Sequence, residues 1–457
     1  MVLRSPQVSC AFLTPSPSPA TAPRPFLNGV MSQVVRVEDP AYKLLDGLRD
    51  DALVGFLQPG DQPAPGATAV LLDAAQRSQD TDVFYGDEDS VDDDGRYFAP
   101  RLKPDWSPMR QSFTPYVGRA VYFRARYLRA AGATGTAGEL FDTASQAMVQ
   151  PGWRIKHLRR VLLTTQAECP TPPPPIRRAT RRSVGTPVVS VIIPTKDRID
   201  LLRPCVDGLL NTTDGAELDL IIIDNGSKES ATLAYYEQLK AMTKLRILQF
   251  SRSFNYSAMC NMGAEFARSE TLLFLNNDIA MIKPDWLTIL LDFVGEPTVG
   301  AVGPRLLYPT HTLQHAGVVI GMGGLAGHWD PHQPEDYPGY LQRLRGPHEM
   351  SCVTGACLSV EKSKFTAVGG FDAENYPVDL NDVDFCLRLQ RAGFSNLLVP
   401  ESVLIHHESA SRGQALAPNT KYARERTHFA EHRLGEIRDD PYFHPALSQF
   451  SESTKLA

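Results

Sequence analysis

From Val188 onward, short apolar runs alternate with segments whose apolar residues recur at helical spacing, over residues 188–194, 201–210, 218–224, 233–242, 246–250, 258–267 and 271–275. An apolar run of roughly four to eight residues bounded by turn formers suits a strand covered on both faces, and the spaced segments suit amphipathic helices. The alternation predicts a doubly wound α/β layer, a Rossmann-like, mostly parallel sheet with helices on both faces. Ligands of such sheets gather beyond the carboxyl ends of the strands. Thr195, Asp224 and Asp278 all fall there, so three strands aim polar residues at one rim.

A chain of 457 residues is too long for one ordinary domain and predicts two folded units with tails. Residues 1–34 combine Pro, Ser and Thr without apolar periodicity and are expected to be disordered. Translation starting at Met31 is an alternative. Residues 35–166 form a smaller α+β region, 167–187 a linker, 188–440 the α/β unit and 441–457 a tail. The linker contains Thr171-Pro-Pro-Pro-Pro175, which favours a semi-rigid polyproline II spacer, and the basic run Arg177-Arg-Ala-Thr-Arg-Arg182. Within the first region, a strand from Val83 is expected to run into a solvated acidic turn over Asp87 to Asp94. The register of an EF-hand loop is absent from it.

Net charge is -6, which argues against a general nucleic-acid binder and leaves the arginine run as solvated linker or as a contact for anionic membrane. Seven cysteines, with no Cys-x-x-Cys pair, make neither a disulfide framework nor structural zinc, and fit a reducing cytoplasm. No apolar stretch approaches the roughly 20 residues needed to span a bilayer, and the start lacks the apolar core of a signal peptide.

Four places carry candidate chemistry. After the first strand, Pro194-Thr-Lys-Asp-Arg198 turns sharply: Thr195 and Asp197 can bond a base or ribose and Arg198 can face phosphate, or Asp197 or Asp200 can cap the next helix. Asp224 can accept from a pyrimidine imide or a ribose hydroxyl, although Asn225-Gly226 also makes a turn unaided. Asn276-Asn-Asp278 can offer one ionised oxygen and two amides to a divalent cation on a diphosphate, or form a simple turn. Asn381-Asp-Val-Asp384 opens a helix stopped by Gly393, with Asn381 as its expected cap. Its acids either complement the helix dipole or, in Asp382, take a proton from an attacking hydroxyl. His406-His407 follows an apolar strand, where one imidazole can complete a metal shell.

These residues together resemble the family 2 glycosyltransferases with the GT-A fold, particularly bacterial enzymes that build surface polysaccharide. The resemblance spans residues 188–413. Its most specific pieces are Val189-Ser-Val-Ile-Ile-Pro-Thr-Lys-Asp-Arg198, Phe274-Leu-Asn-Asn-Asp278, Thr354-Gly-Ala-Cys-Leu358, Gly369-Gly-Phe-Asp372, Asn381-Asp-Val-Asp-Phe-Cys-Leu-Arg388 and His406-His-Glu-Ser-Ala-Ser-Arg-Gly413. It implies a nucleotide-sugar pocket of Pro194, Thr195, Asp197, Arg198, Asp224, Asn276 and Asn277. It further implies Asp278 and His406 on Mg²⁺ or Mn²⁺, Asp382 as catalytic base, and Gly355 and Asp384 at the acceptor. Asn276 stands where the metal motif commonly opens with Asp, and Asn381 replaces a frequent Glu.

In the first region, Leu57-Gln-Pro-Gly-Asp61, Tyr85-Gly-Asp-Glu-Asp89 and Lys103-Pro-Asp-Trp106 are similar to family 2 sequence. No counterpart of the strand at 189–194 is evident before them, so a truncated, inactive GT-A-like copy is expected, packed against or shaping the acceptor side. The function implied is inverting, metal-dependent hexosyl or rhamnosyl transfer from a UDP-, dTDP- or GDP-sugar to a hydroxyl of a glycan or lipid-linked glycan: O-antigen, capsule or exopolysaccharide. The enzyme would work in the cytoplasm, at the inner face of the membrane where its acceptor is anchored there. Donor selectivity would depend on loops such as 321–346. A sugar nucleotidylyltransferase is the first alternative, but Pro194-Thr-Lys-Asp-Arg198 is not its Gly-rich basic loop. The second is a non-catalytic scaffold derived from a transferase.

Overall fold

The acidic run after Val83 is not a solvated turn over its whole length. In the computed structural model Val83–Val91 is one strand, with Asp87 and Glu88 buried and only the following Asp92, Asp93 and Asp94 exposed at a turn. Two buried acids are tolerated because they are partnered. Lys103 Nζ lies 3.0 Å from Glu88 Oε1, which also accepts from the backbone N–H of Arg119 at 2.6 Å and Ala120 at 2.8 Å. Burial pushes the Glu88 carboxyl up, yet the charges of Lys103 and Arg101 outweigh it and hold the group below the usual range. Asp87 Oδ1 accepts from Lys103 N at 2.8 Å and stands 3.2 Å from His157 Nε2.

The structure describes residues 10–14, 32–36, 43–132, 135–165, 186–242, 245–407, 422–451 and 454–457. The chain divides into two units, Met1–Arg178 and Ala179–Ala457. The expected linker, apart from residues 186 and 187, lies outside the described residues.

The first unit is a single sheet of β1 (Cys10–Thr14), β2 (Ser32–Arg36), β3 (Leu53–Phe56), β4 (Gln62–Pro63), β5 (Val83–Val91), β6 (Tyr97–Arg101), β7 (Val121–Arg124) and β8 (Ile155–Thr165). Their order is β2-β1-β3-β7-β5-β8-β4, with β6 beside β5. Strand β1 is parallel to β2 and β3, β7 is antiparallel to β3 and β5, and β8 is parallel to β5. Side chains alternate across a strand. Leu53 therefore joins helix Ala67–Arg77 through Leu71, Ala75 and Phe84, while Val54 joins helix Ala137–Ala147 through Phe123, Leu140 and Ala144.

The second unit holds β9 (Val188–Thr195), β10 (Glu217–Asp224), β11 (Arg246–Gln249), β12 (Thr271–Leu275), β13 (Ile279–Met281), β14 (Val299–Leu307), β15 (Leu313–His315), β16 (Val318–Ile320), β17 (Ala326–His328), β18 (His348–Met350), β19 (Cys357–Glu361) and β20 (Ser395–His406). The main sheet runs β11-β10-β9-β12-β19-β14-β20-β13, and β16 and β17 form a separate hairpin. The first four strands are parallel. Beyond them β19 is antiparallel to β12 and β14, and β20 is parallel to β14. Strands and helices occupy the periods expected of them: helix Ile199–Thr212, for example, buries Leu202, Cys205, Val206 and Leu209, the i, i+3, i+4, i+7 stripe of an amphipathic helix.

The two sheets follow one plan. Strand order β2-β1-β3-β7-β5-β8-β4 reproduces β10-β9-β12-β19-β14-β20-β13, without counterparts, among the described residues, of the outer β11 and of β18 beside β20. The β5 and β8 pairing slips at Gly86/Asp87, and the β14 and β20 pairing slips at Pro304/Arg305. This corrects the expectation that the opening strands of the first unit are missing and that residues 1–34 lack order throughout. Cys10-Ala-Phe-Leu-Thr14 supplies the central parallel strand; the rest of 1–34 apart from Ser32–Arg36 lies outside the described residues. The second unit also continues past 440. Gln449 O accepts from Gly323 N at 2.9 Å, Thr454 Oγ1 accepts from Trp329 Nε1 at 3.0 Å, and Phe443 packs edge-on to Trp329. Among the described residues no helix is long and apolar enough to cross a membrane.

Candidate active site

Parallel pairing of β9 with β10 sets Thr195 opposite Asp224 at the carboxyl rim. Asp224 is buried. Each of its oxygens lies 3.2 Å from Ser227 N, and Oδ1 also accepts from the Ser227 and Tyr236 hydroxyls. Burial, together with the Asp224 charge beside it, pushes the Tyr236 phenol up. The turn after β9 is tied to the same place: Asp197 N donates to Ser227 Oγ at 2.7 Å, and Asp197 Oδ1 accepts from Lys228 N at 2.6 Å and Glu229 N at 2.8 Å. These bonds, that from Glu229 first, hold the Asp197 carboxyl below the usual range. They also offset a left-handed backbone at both Asp197 (φ 50) and Arg198 (φ 55), which costs on the order of 1 kcal/mol or more per residue.

Neither acid caps the following helix. Its N-cap is Arg198, without a side-chain capping bond, and Asp197 instead serves the amides ahead of helix Ser230–Met242. The Arg198 guanidinium pairs with Asp200, Nη2 to Oδ2 at 2.8 Å. That bond, with the Asp200 charge and more distantly Asp278, raises its pKa. Pro194 is buried at the end of β9.

Asn277 Nδ2 donates to Thr195 Oγ1 at 2.8 Å, and Asn276 N donates to Ala356 O at 2.9 Å, so the residues after β12 bridge β9 and the start of β19. Pairing of β13 with β20 sets Ile279 opposite His406 and brings His406 Nε2 to 3.1 Å from Asp278 Oδ1. Gln314 faces His406 Nδ1 with its amide nitrogen at 2.8 Å and its oxygen at 3.1 Å. The amide orientation decides the tautomer: when the oxygen accepts, the proton stays on Nδ1 and Nε2 keeps a lone pair for a cation. Among the described residues no third His, Cys, Asp or Glu completes a metal cluster. One carboxylate oxygen and one imidazole nitrogen nevertheless suit a divalent cation that fills its shell with diphosphate oxygens and water.

Asp382 stands at the head of helix Asn381–Arg391. Its Oδ2 accepts from Gly355 N at 2.7 Å and its Oδ1 from Val383 N at 2.8 Å. A Cβ added at Gly355 would stand 3.3 Å from that of Asp382, so glycine permits the close approach. The Gly355 carbonyl accepts from Tyr256 Oη at 2.9 Å. A continuous set of contacts therefore links Asp224, Thr195, Asn277, Asn276, Ala356, Gly355 and Asp382.

Two expectations are corrected here. Asn381 is not the helix cap: Leu380 holds that position at φ 59, while the Asn381 side chain accepts from Asp382 N at 2.7 Å and donates to Ser257 Oγ at 3.2 Å. Asp384 does not share the Asp382 face, because residues two apart on a helix point about 200° apart. Its carboxylate is buried against Arg388, at 2.7 Å, and Arg433, which pins the helix to Ala423–His432. His407 contributes its backbone N–H to Asp278 O at 2.9 Å, and residues 408–413 of the resemblance lie outside the described residues. Sequence reasoning missed Tyr236, Gln314, His315 and His328, and gave no role to Ser227 or Thr354. Gln314 and His315 belong to the three-residue β15, too short to show a period.

Residues 190–366 match the family described as "Glycosyl transferase family 2". Over 92% of its length the chain is 32% identical to Uncharacterized protein y4gI of Sinorhizobium fredii, spanning 50% of that protein. Over 86% it is 36% identical to O-antigen biosynthesis protein RfbC of Myxococcus xanthus, spanning 34%. It is also 27% identical, over 43% of its length and 69% of the relative, to N-acetylglucosaminyl-diphospho-decaprenol L-rhamnosyltransferase of Mycobacterium tuberculosis. The chain thus spans half or less of the first two relatives.

Proposed function

Residues 190–366 carry a family 2 glycosyltransferase domain, and on that premise we propose that the second unit transfers a hexosyl or rhamnosyl group, with inversion, from a nucleotide diphosphate sugar to a hydroxyl of a growing cell-surface glycan. The observation that supports this reading is that Asp382, its Oδ2 held by Gly355 N–H, is connected through Ala356 and Asn276 to the strand end that presents Asp278 with His406. The acceptor O–H gives its proton to Asp382 as its oxygen bonds the anomeric carbon. The bond from that carbon to the diphosphate breaks on the opposite side, and the nucleoside diphosphate leaves. Asp278 and His406 would hold a divalent cation, Mg²⁺ or Mn²⁺, which when bound supplies charge neutralisation to the leaving diphosphate.

Thr195, Asp197 and Asp224 would orient the base and ribose, with Asn276 and Asn277 closing the rim and Arg198 near the phosphates. Gly355 borders the acceptor. Likeness to an O-antigen biosynthesis protein and to a rhamnosyltransferase supports a surface polysaccharide as product, with a UDP-, dTDP- or GDP-sugar as donor. A lipid-linked acceptor would place the enzyme at the inner face of the cytoplasmic membrane.

The first unit reads as a non-catalytic copy. Asp61, which follows β3 as Asp278 follows β12, is bound at both oxygens by Arg119, Nη2 at 2.6 Å and Nε at 2.9 Å. Thr164 faces Gln62 where His406 faces Ile279. The second helix after β7, Ala137–Ala147, opens with a capping box of Thr136 and Glu139 in place of a base. The reading is tested by a thermal-shift screen of UDP-, dTDP- and GDP-sugars with Mn²⁺, followed by assay of nucleoside diphosphate release on addition of acceptor glycan. Absence of any cation-linked stabilisation and of any release rejects it.

A further inference from the structure

We propose that His328 recognises a hydroxyl of the transferred sugar, its Nε2–H held as a donor by a relay that starts at the Thr354 backbone and passes through His315; the proposal rests on the transferase reading above. Thr354 N can only donate, and it faces His315 Nε2 at 3.4 Å. His315 Nε2 is then the accepting nitrogen, and its proton is on Nδ1. Nδ1 lies 3.0 Å from Nδ1 of His328, which must accept, so the His328 ring carries its proton on Nε2. Burial, the largest influence, holds the His315 imidazole well below its usual range.

Backbone pairing fixes the geometry. His328 is paired with Val318 across the β16–β17 hairpin, and Trp329 N donates to Gly317 O at 3.0 Å. The two imidazoles meet edge to face, at 85°. His315 is fully buried, whereas His328 is partly exposed.

The relay shares its backbone with both ends of the reaction. Gly355, next to Thr354, holds the proton-accepting Asp382. Gln314, next to His315, orients His406 beside Asp278, and His406 is within electrostatic reach of His315. The sugar must lie between the diphosphate held at one end and the base at the other. A ring N–H with a fixed tautomer, on a hairpin adjoining both, matches a hydroxyl oxygen there. A site built to bond a hydroxyl rejects a sugar lacking it far more strongly than an apolar wall does.

The test uses the whole chain with Mn²⁺ and calorimetric titration. The probes are whichever of UDP-glucose, dTDP-rhamnose and GDP-mannose the wild type binds, and the matching nucleoside diphosphate. His328→Phe is expected to weaken the nucleotide sugar about ten- to hundredfold and to leave the nucleoside diphosphate within about twofold. His315→Gln, whose amide can accept from Thr354 and donate to His328, is expected to stay within about threefold of wild type, while His315→Leu repeats the loss seen in His328→Phe. Unchanged nucleotide-sugar affinity in His328→Phe overturns the proposal, as does an equal loss for the nucleoside diphosphate. Because His328 is partly exposed, that variant decides the matter even where His315→Leu does not fold. A wild type that binds none of the three sugars overturns the transferase reading and the relay with it.

Discussion

Asp278 and His406 meet across the pairing of β13 with β20, imidazole Nε2 at 3.1 Å from carboxylate Oδ1, with Gln314 holding the far side of the ring. Asp278→Ala is expected to abolish the cation dependence of nucleotide-sugar binding, and Gln314→Leu to reduce cation affinity about ten- to hundredfold through loss of ring orientation. Titration with and without Mn²⁺ reads both. Cation dependence that survives in Asp278→Ala removes that residue from the metal shell.

Asp382→Asn keeps the shape of the side chain and removes its ability to take a proton. Turnover is expected to fall by about 10²- to 10⁴-fold, with nucleotide-sugar affinity nearly unchanged. Single-turnover assay separates the two, and normal turnover would show that another group accepts the proton.

One nucleotide sugar per chain is expected to bind, because Arg119 occupies Asp61 in the first unit. Calorimetric stoichiometry checks this. Two equivalents bound to wild type, with one lost in Asp61→Ala, would make the first unit a second donor site.

Breaking the buried pair in the first unit is expected to be costly. Lys103→Met leaves Glu88 with only the more distant Arg101, at 3.5 Å, and should destabilise that unit by about 3 kcal/mol. Adding Glu88→Leu should then cost less than the sum of the single changes by at least about 1 kcal/mol. Urea denaturation of the four proteins gives the coupling, and strict additivity rejects a coupled pair.

Asp440 gives a pH prediction. Its carboxyl accepts from Ile320 N at 2.7 Å and Tyr442 N at 2.8 Å, but burial, the largest influence, pushes it up to about 6. An acid whose folded pKa lies above its unfolded value favours folding while protonated. Its contribution is therefore present at pH 4 and lost as pH rises through 6, by up to ~3 kcal/mol. Asp440→Asn should flatten this part of the profile of melting temperature against pH, although it leaves one amide without its acceptor. An unchanged slope between pH 4 and 6 would assign the dependence to other groups.

The strand ends at Thr195, Asp224 and Asp278 are legible in the sequence because long apolar runs stop there, and apolar burial dominates local choice. Asp382 is legible as the head of a strongly periodic helix. What escapes is whatever depends on contacts far apart in sequence. Cys10-Ala-Phe-Leu-Thr14 is five residues that run straight into Pro15-Ser-Pro-Ser-Pro19, and only pairing with β2 and β3 makes it a strand. Asp87 and Glu88 look solvated until Lys103 and His157 are placed against them. Whether Asp384 faces a substrate or an arginine depends on Arg433, 49 positions away, and the His315 and His328 pairing depends on a hairpin of three-residue strands.

The repeated strand order gives each central strand two addresses. During refolding, β9 has the parallel neighbours it needs in its own unit and an equivalent gap beside β3 in the other, so misdocked species are expected kinetic competitors, as in other repeat-bearing chains. The unequal lengths of β1 and β9, five residues against eight, favour correct assembly, since the longer strand loses pairs in the shorter slot. Synthesis from the amino terminus helps further: the first sheet can close before its rival strands leave the ribosome.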